Sequence, residues 1–248
     1  MTVLDGFMFS APENIGVIAI AGRQTSGRGR GGNSWLSPLG CAMFSLHVRI
    51  DLNSTLGQKV SFLQHIVSLA VVQSVRTLPQ CEDLPLKLKW PNDIYFNRLM
   101  KLGGVIVNSS MIGSVIHTII GCGFNVSNSN PTICINDIIS NWNNNHGTFI
   151  PLCTTEQLIA RTVTHIEQLI HFFQTDGAEA FCDLYYKYWI HSGDKVKVES
   201  LDFAEATVNG LDDFGFLQVK LNGGSLVSLQ PDGNSFDIMH NLIAMKRT

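Results

Sequence analysis

The chain runs as short apolar stretches separated by polar, glycine-punctuated gaps. Residues 15–21 (IGVIAIA) are apolar and largely β-branched and stop at Gly22, which predicts a buried strand opening into a loop. From Cys41 to Ile50 the residues Phe44, Leu46, Val48 and Ile50 fall on every second position, the period of a strand with one buried face. Between Gln58 and Leu78 the period lengthens. Leu63, Ile66, Val67, Ala70, Val71, Val75 and Leu78 recur at helical spacing, and Pro79 ends the helix. Leu86 to Trp90 alternates again and halts at Pro91-Asn92-Asp93. Residues 104–108 and 114–120 predict paired strands around a tight turn at Met111-Ile112-Gly113.

The stretch 127–149 is rich in asparagine and reads as a loop with a short helix over 133–139. Thr154, with Gln157 three residues on, resembles a capping box. The apolar stripe that follows ends at Asp176-Gly177, a glycine stop. A second, aromatic-rich helix is predicted over 178–190. Past His191-Ser192-Gly193 the pattern changes to brief period-2 pieces at Val196/Val198, Ala206/Val208 and Phe216/Val219, with turns at 212–215 and 222–224. This predicts an α+β chain with a boundary near residue 191: a sheet-and-helix domain over 1–190, then a small β unit over 191–248 the size of an SH3-like barrel.

Composition narrows the function classes. Hydrophobic residues make up 45% and charged residues 15% of the 248, enough apolar matter for a sizeable core. The formal net charge of −3 argues against bulk attraction to nucleic acid or acidic membranes, so any positive field is local. The apolar stretch 60–75 is interrupted by Gln64, His65, Ser68, Gln73 and Ser74, which suits a buried helix and not a membrane span. Six cysteines are scattered without C-x-x-C spacing, which argues for reduced core thiols and against a zinc site. The N-terminal residues lack the basic region of a targeting signal, so the expected location is cytoplasmic.

Four constellations carry candidate chemistry. In GRQTSGRGRGGNSW (22–35), Gly27, Gly29, Gly31 and Gly32 free the backbone, while Arg28 and Arg30 offer forked donors to phosphate or carboxylate. No Asp or Glu lies between Asn14 and Ile50, and Trp35 closes the segment with a flat ring. A solvated Arg/Gly loop or an RGG-like RNA segment would share this composition, but such segments are usually repeated and set in basic chains. A Walker A loop is absent. In Lys89-Trp90-Pro91-Asn92-Asp93, a strand delivers Asn92 and Asp93 to a proline-fixed turn, where Asp93 can hold Mg²⁺ or orient an amine; Pro-Asn-Asp is also ordinary turn chemistry. Lys101-Leu102-Gly103-Gly104 sets a lysine at the mouth of a strand. Gly121-Cys122-Gly123-Phe124-Asn125 permits close approach of a ligand, with Asn125 as a polar handle, or marks a simple strand exit.

Taken together, GRGRGGNSW (27–35), KWPND (89–93), KLGG (101–104) and GCGFN (121–125), in that order, resemble the biotin–protein ligase family. The stretches at 125–137 and 185–193 are most similar to its animal, holocarboxylase synthetase branch. The resemblance runs essentially from Val3 to the C-terminus. It implies a class II synthetase-like mixed-sheet catalytic domain of the biotin/lipoate ligase type. It also implies two reactions: biotin and MgATP give biotinyl-5′-AMP and pyrophosphate, and a lysine of a biotin carboxyl carrier domain then takes the biotin and releases AMP. Gln24, Gly27, Arg28, Gly29, Arg30 and Lys101 match the family's biotin and adenylate contacts, and Trp35 matches an aromatic that packs near the adenine. Asn92, Asp93, Gly103, Gly104, Gly123 and Asn125 complete the expected site, with Arg28, Arg30, Asp93 and Lys101 as its catalytic members. A homodimer is compatible with the resemblance. In the family a Ser-Thr pair precedes the segment that begins this chain, so the N-terminal strand and part of the biotin pocket are expected to be missing. The rival expectations are a lipoate–protein ligase and a catalytically impaired, truncated scaffold.

Overall fold

The computed structural model describes residues 1–7, 12, 16–130 and 132–245. Its larger layer is a six-stranded sheet in the order β1-β4-β8-β7-β6-β5. The strands are β1 (Val17–Ile20), β4 (Cys41–Asp51), β5 (Leu86–Lys89), β6 (Asp93–Phe96), β7 (Met100–Ile112) and β8 (Val115–Asn125). Every pairing among these six is antiparallel. Its mixed character comes from one added element, Trp189, which bridges Leu88 in parallel at the outer edge of β5. Ile15, the first residue of the expected N-terminal strand, lies outside the described residues.

The alternation read in the sequence sorts the two faces of this sheet. Phe44, Leu46, Ile120, Cys122, Val105 and Ile94 turn to one side and are buried. They meet α2 (Leu63–Arg76) and α4 (Thr155–Tyr186), two helices that also pack on each other. Helix α4 opens as expected, with the Thr154 hydroxyl accepting the Gln157 N–H at 3.1 Å. It breaks at Gly177, whose φ of 85° lies outside helical space, and then runs on only to Tyr186, short of the expected 190.

The asparagine-rich stretch holds more helix than its composition suggests: α3 (Ile135–His146) spans 12 residues. Ile135, Ile138 and Ile139 bury one face, and the Asp137 carboxylate accepts the Cys134 N–H at 3.0 Å to close the N-terminus. The remaining short helix, α1 (Thr2–Asp5), rests on the other face of the sheet, with Leu4 against Ile119. No helix among the described residues is long and apolar enough to cross a membrane.

The C-terminal strands β9 (Lys195–Val198), β10 (Ala204–Leu211), β11 (Leu217–Leu221), β12 (Leu226–Leu229), β13 (Asn234–Asp237) and β14 (Leu242–Met245) form a second six-stranded sheet. Its order is β12-β11-β10-β9-β14-β13, with β14 parallel to β9. Val196, Val198, Ala206, Val208 and Val219 line its interior as read from the sequence, but Leu217, in register with Val219, is buried there in place of the expected Phe216. The turn at 212–215 docks on the large unit, where the ring of buried His65 in α2 meets the Gly215 carbonyl at 2.8 Å.

Candidate active site

The second face of the large sheet is built differently. Register pairs Gly104 of β7 with Gly123 of β8, and Gly123 with Met43 of β4. Two positions along β8, Gly121 faces Ser45. These glycines leave a strip of backbone without side chains of its own. What covers the strip lies close: a Cβ at Gly123 would stand 2.9 Å from the Trp35 indole nitrogen, and one at Gly121 would stand 2.6 Å from the Met1 sulfur. The Met1 ammonium donates to Ser45 Oγ at 2.6 Å, and Thr2 is helical there.

A bulge aims the lysine. Ile94 pairs with Gly103, but Tyr95 pairs with Lys101, so Leu102 is an extra residue in β7. Leu102 drops into the core, and Lys101 swings to the glycine face, where its Nζ lies 2.6 Å from Asp93 Oδ1. The contact is Coulombic, since the ammonium meets that oxygen outside hydrogen-bond geometry. Lys89 approaches Asp93 Oδ2 at 3.7 Å from the neighbouring strand. Burial pushes the Lys89 pKa down, Asp93 opposes that shift, and Lys101 and Arg30 add to it. Lys101 also lies 5.7 Å from the centre of the Trp35 ring. Asp93, Lys89, Lys101 and Trp35 therefore form one cluster at the glycine strip.

The Gly/Arg segment is a hairpin of β2 (Gln24–Arg28) and β3 (Ser34–Ser37). Gly27 is required by close pairing, because a Cβ there would stand 2.4 Å from the Trp35 carbonyl oxygen. Gly31 and Gly32 take φ of 65° and 78° at the tip, and the Gly29 N–H donates to the Asn33 carbonyl at 2.6 Å to close it. Gln24 accepts from Ser37 Oγ at 3.0 Å. The two arginines differ. Arg28 is exposed and has no side-chain partner among the described residues. Arg30 is half-buried and donates to the carbonyls of Pro231 and Asn234, the latter at 3.0 Å, in the C-terminal sheet unit. Burial lowers the Arg30 pKa, while Asp93 and Asp232 raise it.

Three expected site residues make framework contacts. Asn92 donates its side-chain amide to the Val105 carbonyl and accepts the Val105 N–H on its own carbonyl at 2.9 Å, so it fixes the turn to β7. Asn125 donates to Thr132 Oγ1 at 2.7 Å and accepts from Asn128 at 2.7 Å, which organises the loop after β8. Gly103 faces the core, where a Cβ would stand 2.5 Å from that of Phe124. Lys89 and Gly121, read in the sequence only as members of the KWPND and GCGFN motifs, lie in this cluster, and the Pro231–Asn234 turn, which the sequence did not single out, reaches it through Arg30. The Lys87/Lys89 alternation and the i, i+2 glycines were usable signals. Nothing local marks the turn, which lies 201 residues from Arg30.

Among the described residues no group of three or more His, Cys, Asp or Glu side chains can hold a metal. Asp93 is occupied by two lysines. The residues present do not make a protein cage for magnesium, which fits an ion carried on nucleotide phosphates.

Comparison with known proteins gives this face a lineage. Residues 1–125 match the biotin/lipoate A/B protein ligase family, and residues 191–240 match the biotin protein ligase C-terminal domain. Human biotin–protein ligase is 52% identical over 247 residues, covering all of this chain and 34% of the relative. Biotin–protein ligase 2 of Arabidopsis thaliana is 31% identical, covering 94% of this chain and 70% of the relative. The chain thus spans about a third of the length of its human relative. Among solved structures, the Aquifex aeolicus biotin protein ligase in complex with biotin and ATP superposes with a TM-score of 0.62 at 20% identity, covering 98% of this chain and 94% of that one. The Leishmania major enzyme in complex with biotinyl-5-AMP gives 0.59 at 21%, with 92% and 94% covered. By its sequence matches and its fold, the chain belongs to the biotin/lipoate A/B protein ligase family.

Proposed function

We propose that this chain is the catalytic portion of a biotin–protein ligase, with residues 1–190 as the catalytic domain and 191–248 as a small domain that completes the site. The observation that carries this reading is the convergence of Lys101, Lys89 and Arg30 around one carboxylate, Asp93, beside a side-chain-free glycine strip capped by Trp35.

Two anions must meet in the first step. The carboxylate oxygen of biotin attacks the α-phosphorus of MgATP, the Pα–O bond to pyrophosphate breaks, and biotinyl-5′-AMP forms. Lys101, Arg28 and Arg30 offset the charge that builds on the phosphate oxygens. The glycine strip lets the Trp35 indole lie close to the sheet, where it offers a stacking surface for a flat ring. In the second step the neutral amine of a carrier-domain lysine attacks the acyl carbon, AMP leaves with the bonding pair, and the proton released from the nitrogen passes to water. Asp93 holds Lys101 in place and orients the incoming amine; positioning supplies most of the rate. The partners on this reading are biotin carboxyl carrier domains, and a homodimer is compatible with it.

The test is exchange of labelled pyrophosphate into ATP by the 248-residue chain. Exchange that requires biotin supports the reading. Exchange that requires lipoate instead reassigns the substrate, and absence of exchange with retained carrier binding leaves a scaffold.

A further inference from the structure

The outer edge of β5 is closed by a segment from the far end of the chain. Leu88 donates its N–H to the Tyr188 carbonyl at 2.9 Å, and Ile190 donates to the Leu88 carbonyl at 3.1 Å. The next residue, His191, is fully buried, with its ring against Phe236 at 3.9 Å between centres and edge-on to Trp189 at 5.6 Å. Its Nε2 lies 3.1 Å from the backbone nitrogen of Trp90.

That contact fixes the tautomer. A backbone N–H only donates, so Nε2 must present a lone pair and the ring proton sits on Nδ1. Nδ1 lies 3.3 Å from Asp194 Oδ2. The same oxygen accepts from Arg98 Nη2 at 2.7 Å, and the other Arg98 nitrogen donates to the Ile190 carbonyl. A chain of contacts thus runs from Arg98 through Asp194 and His191 to the N–H of Trp90. Trp90 immediately precedes Pro91, Asn92 and Asp93, the turn that holds the central carboxylate of the site.

We propose that His191 is a positioning residue for the ligase reaction: by accepting the Trp90 N–H it sets the Pro91–Asp93 turn, and with it the placement of Asp93 between Lys101 and Lys89. The proposal rests on the ligase reading for its kinetic consequence and on geometry alone for its structural one. The charged groups facing the imidazole are Asp194 on its own segment, Arg98 from the β6–β7 turn and Lys89 from β5. Burial, with Lys89 and Arg98, outweighs Asp194 and pushes the His191 pKa down to about 4. The neutral acceptor form therefore persists through the physiological range. A proton on Nε2 would set two N–H groups against each other and release the turn.

The experiment compares the full chain with His191→Gln, which keeps an acceptor, and His191→Leu, which removes it at similar bulk. Long-range ¹H–¹⁵N spectra report the ring tautomer, amide hydrogen exchange reports the Trp90 N–H, and biotin-dependent pyrophosphate exchange reports kcat and KM. The expected results are an Nδ1–H tautomer that stays neutral to below pH 5, and protection of Trp90. In His191→Leu, Trp90 exchange should rise and kcat should fall about tenfold, the scale of one buried hydrogen bond. KM for ATP should stay within about twofold, and His191→Gln should recover most of the loss. An Nε2–H tautomer, an unprotected Trp90 amide, a His191→Leu protein indistinguishable from the parent, or equal failure of both variants would overturn the proposal. If His191→Leu does not fold, the parent's tautomer and the Gln variant decide. If the parent shows no biotin-dependent exchange, the ligase reading falls, and the tautomer and amide protection still decide whether His191 sets the turn.

Discussion

Gly123 and Gly104 pair across two strands, yet they protect different things. A methyl group at Gly123 collides with the Trp35 indole at 2.9 Å, whereas one at Gly104 meets Asp93 Oδ1 at 3.2 Å and the Lys101 ammonium at 3.5 Å. Gly123→Ala is therefore expected to displace the indole and destabilise the chain by about 1–3 kcal/mol, read as a lower urea midpoint. Lys101→Met tests the charge. Lys101 is 40% exposed, so its pair with Asp93 adds little to stability, and Tm should hardly move. Biotin-dependent pyrophosphate exchange should drop by roughly 10²–10³ in kcat, the scale of removing one transition-state donor; a drop in Tm without that loss would make the lysine structural. At this scale the residues that gather round Asp93, Arg30 and Lys101 among them, carry unusual types that the sequence displays. The framework bonds of Asn92 and Asn125 were not legible, because a buried amide that completes a turn and one that grips a ligand look alike in one dimension.

Among the elements, the β2–β3 hairpin is the one whose position depends on a distant partner. Arg30 ties it to the carbonyls of Pro231 and Asn234, while Arg28 stays in solvent. Trypsin should cleave after Arg28 in the free protein, and biotin with MgATP should slow that cleavage as the loop closes on the adenylate. Arg30→Ala should speed it several-fold without ligand; unchanged cleavage in all three samples would leave the loop without a closing role. Helix α4 offers a cleaner backbone test. Gly177 sits at φ 85°, so Gly177→Ala is expected to cost about 1 kcal/mol or more, measurable by thermal unfolding. The end of the first part of α4 was legible because glycine announces such a conformation. Helix α3 was underestimated because five of its eight polar residues are asparagine, a poor helix former; Ile135, Ile138, Ile139 and Trp142 nonetheless keep helical spacing and pack on the core.

For the molecule as a whole, the seam between the two sheets is where sequence reading failed most. The pairs His65–Gly215, Trp90–His191 and Arg30–Pro231 are separated by 150, 101 and 201 residues. No periodicity encodes such pairings. The seam also sets an acid limit. His65 and His191 are both buried, and burial holds each pKa down to about 4 against an ordinary 6.5. Between those values the unfolded chain binds protons that the folded chain refuses, so stability is full above about pH 6.5 and falls as pH drops toward 4. At full effect each histidine accounts for on the order of 3 kcal/mol. Urea midpoints at pH 7 and pH 5 should therefore differ, and by less in His65→Gln. A pH-independent midpoint would mean that both rings titrate in the folded chain as they do in the unfolded one.

The parallel segment at 188–190 carries a practical consequence for dissection of the chain. It caps hydrogen-bonding groups along β5 that would otherwise face water. An amino-terminal fragment cut before Tyr188 would bare that strand, and a bare strand recruits other strands. Such a fragment is expected to self-associate into aggregates instead of behaving as an independent folding unit. The seventh partner of the large sheet is thus a built-in safeguard for solubility, supplied by the stretch just before the boundary read near residue 191.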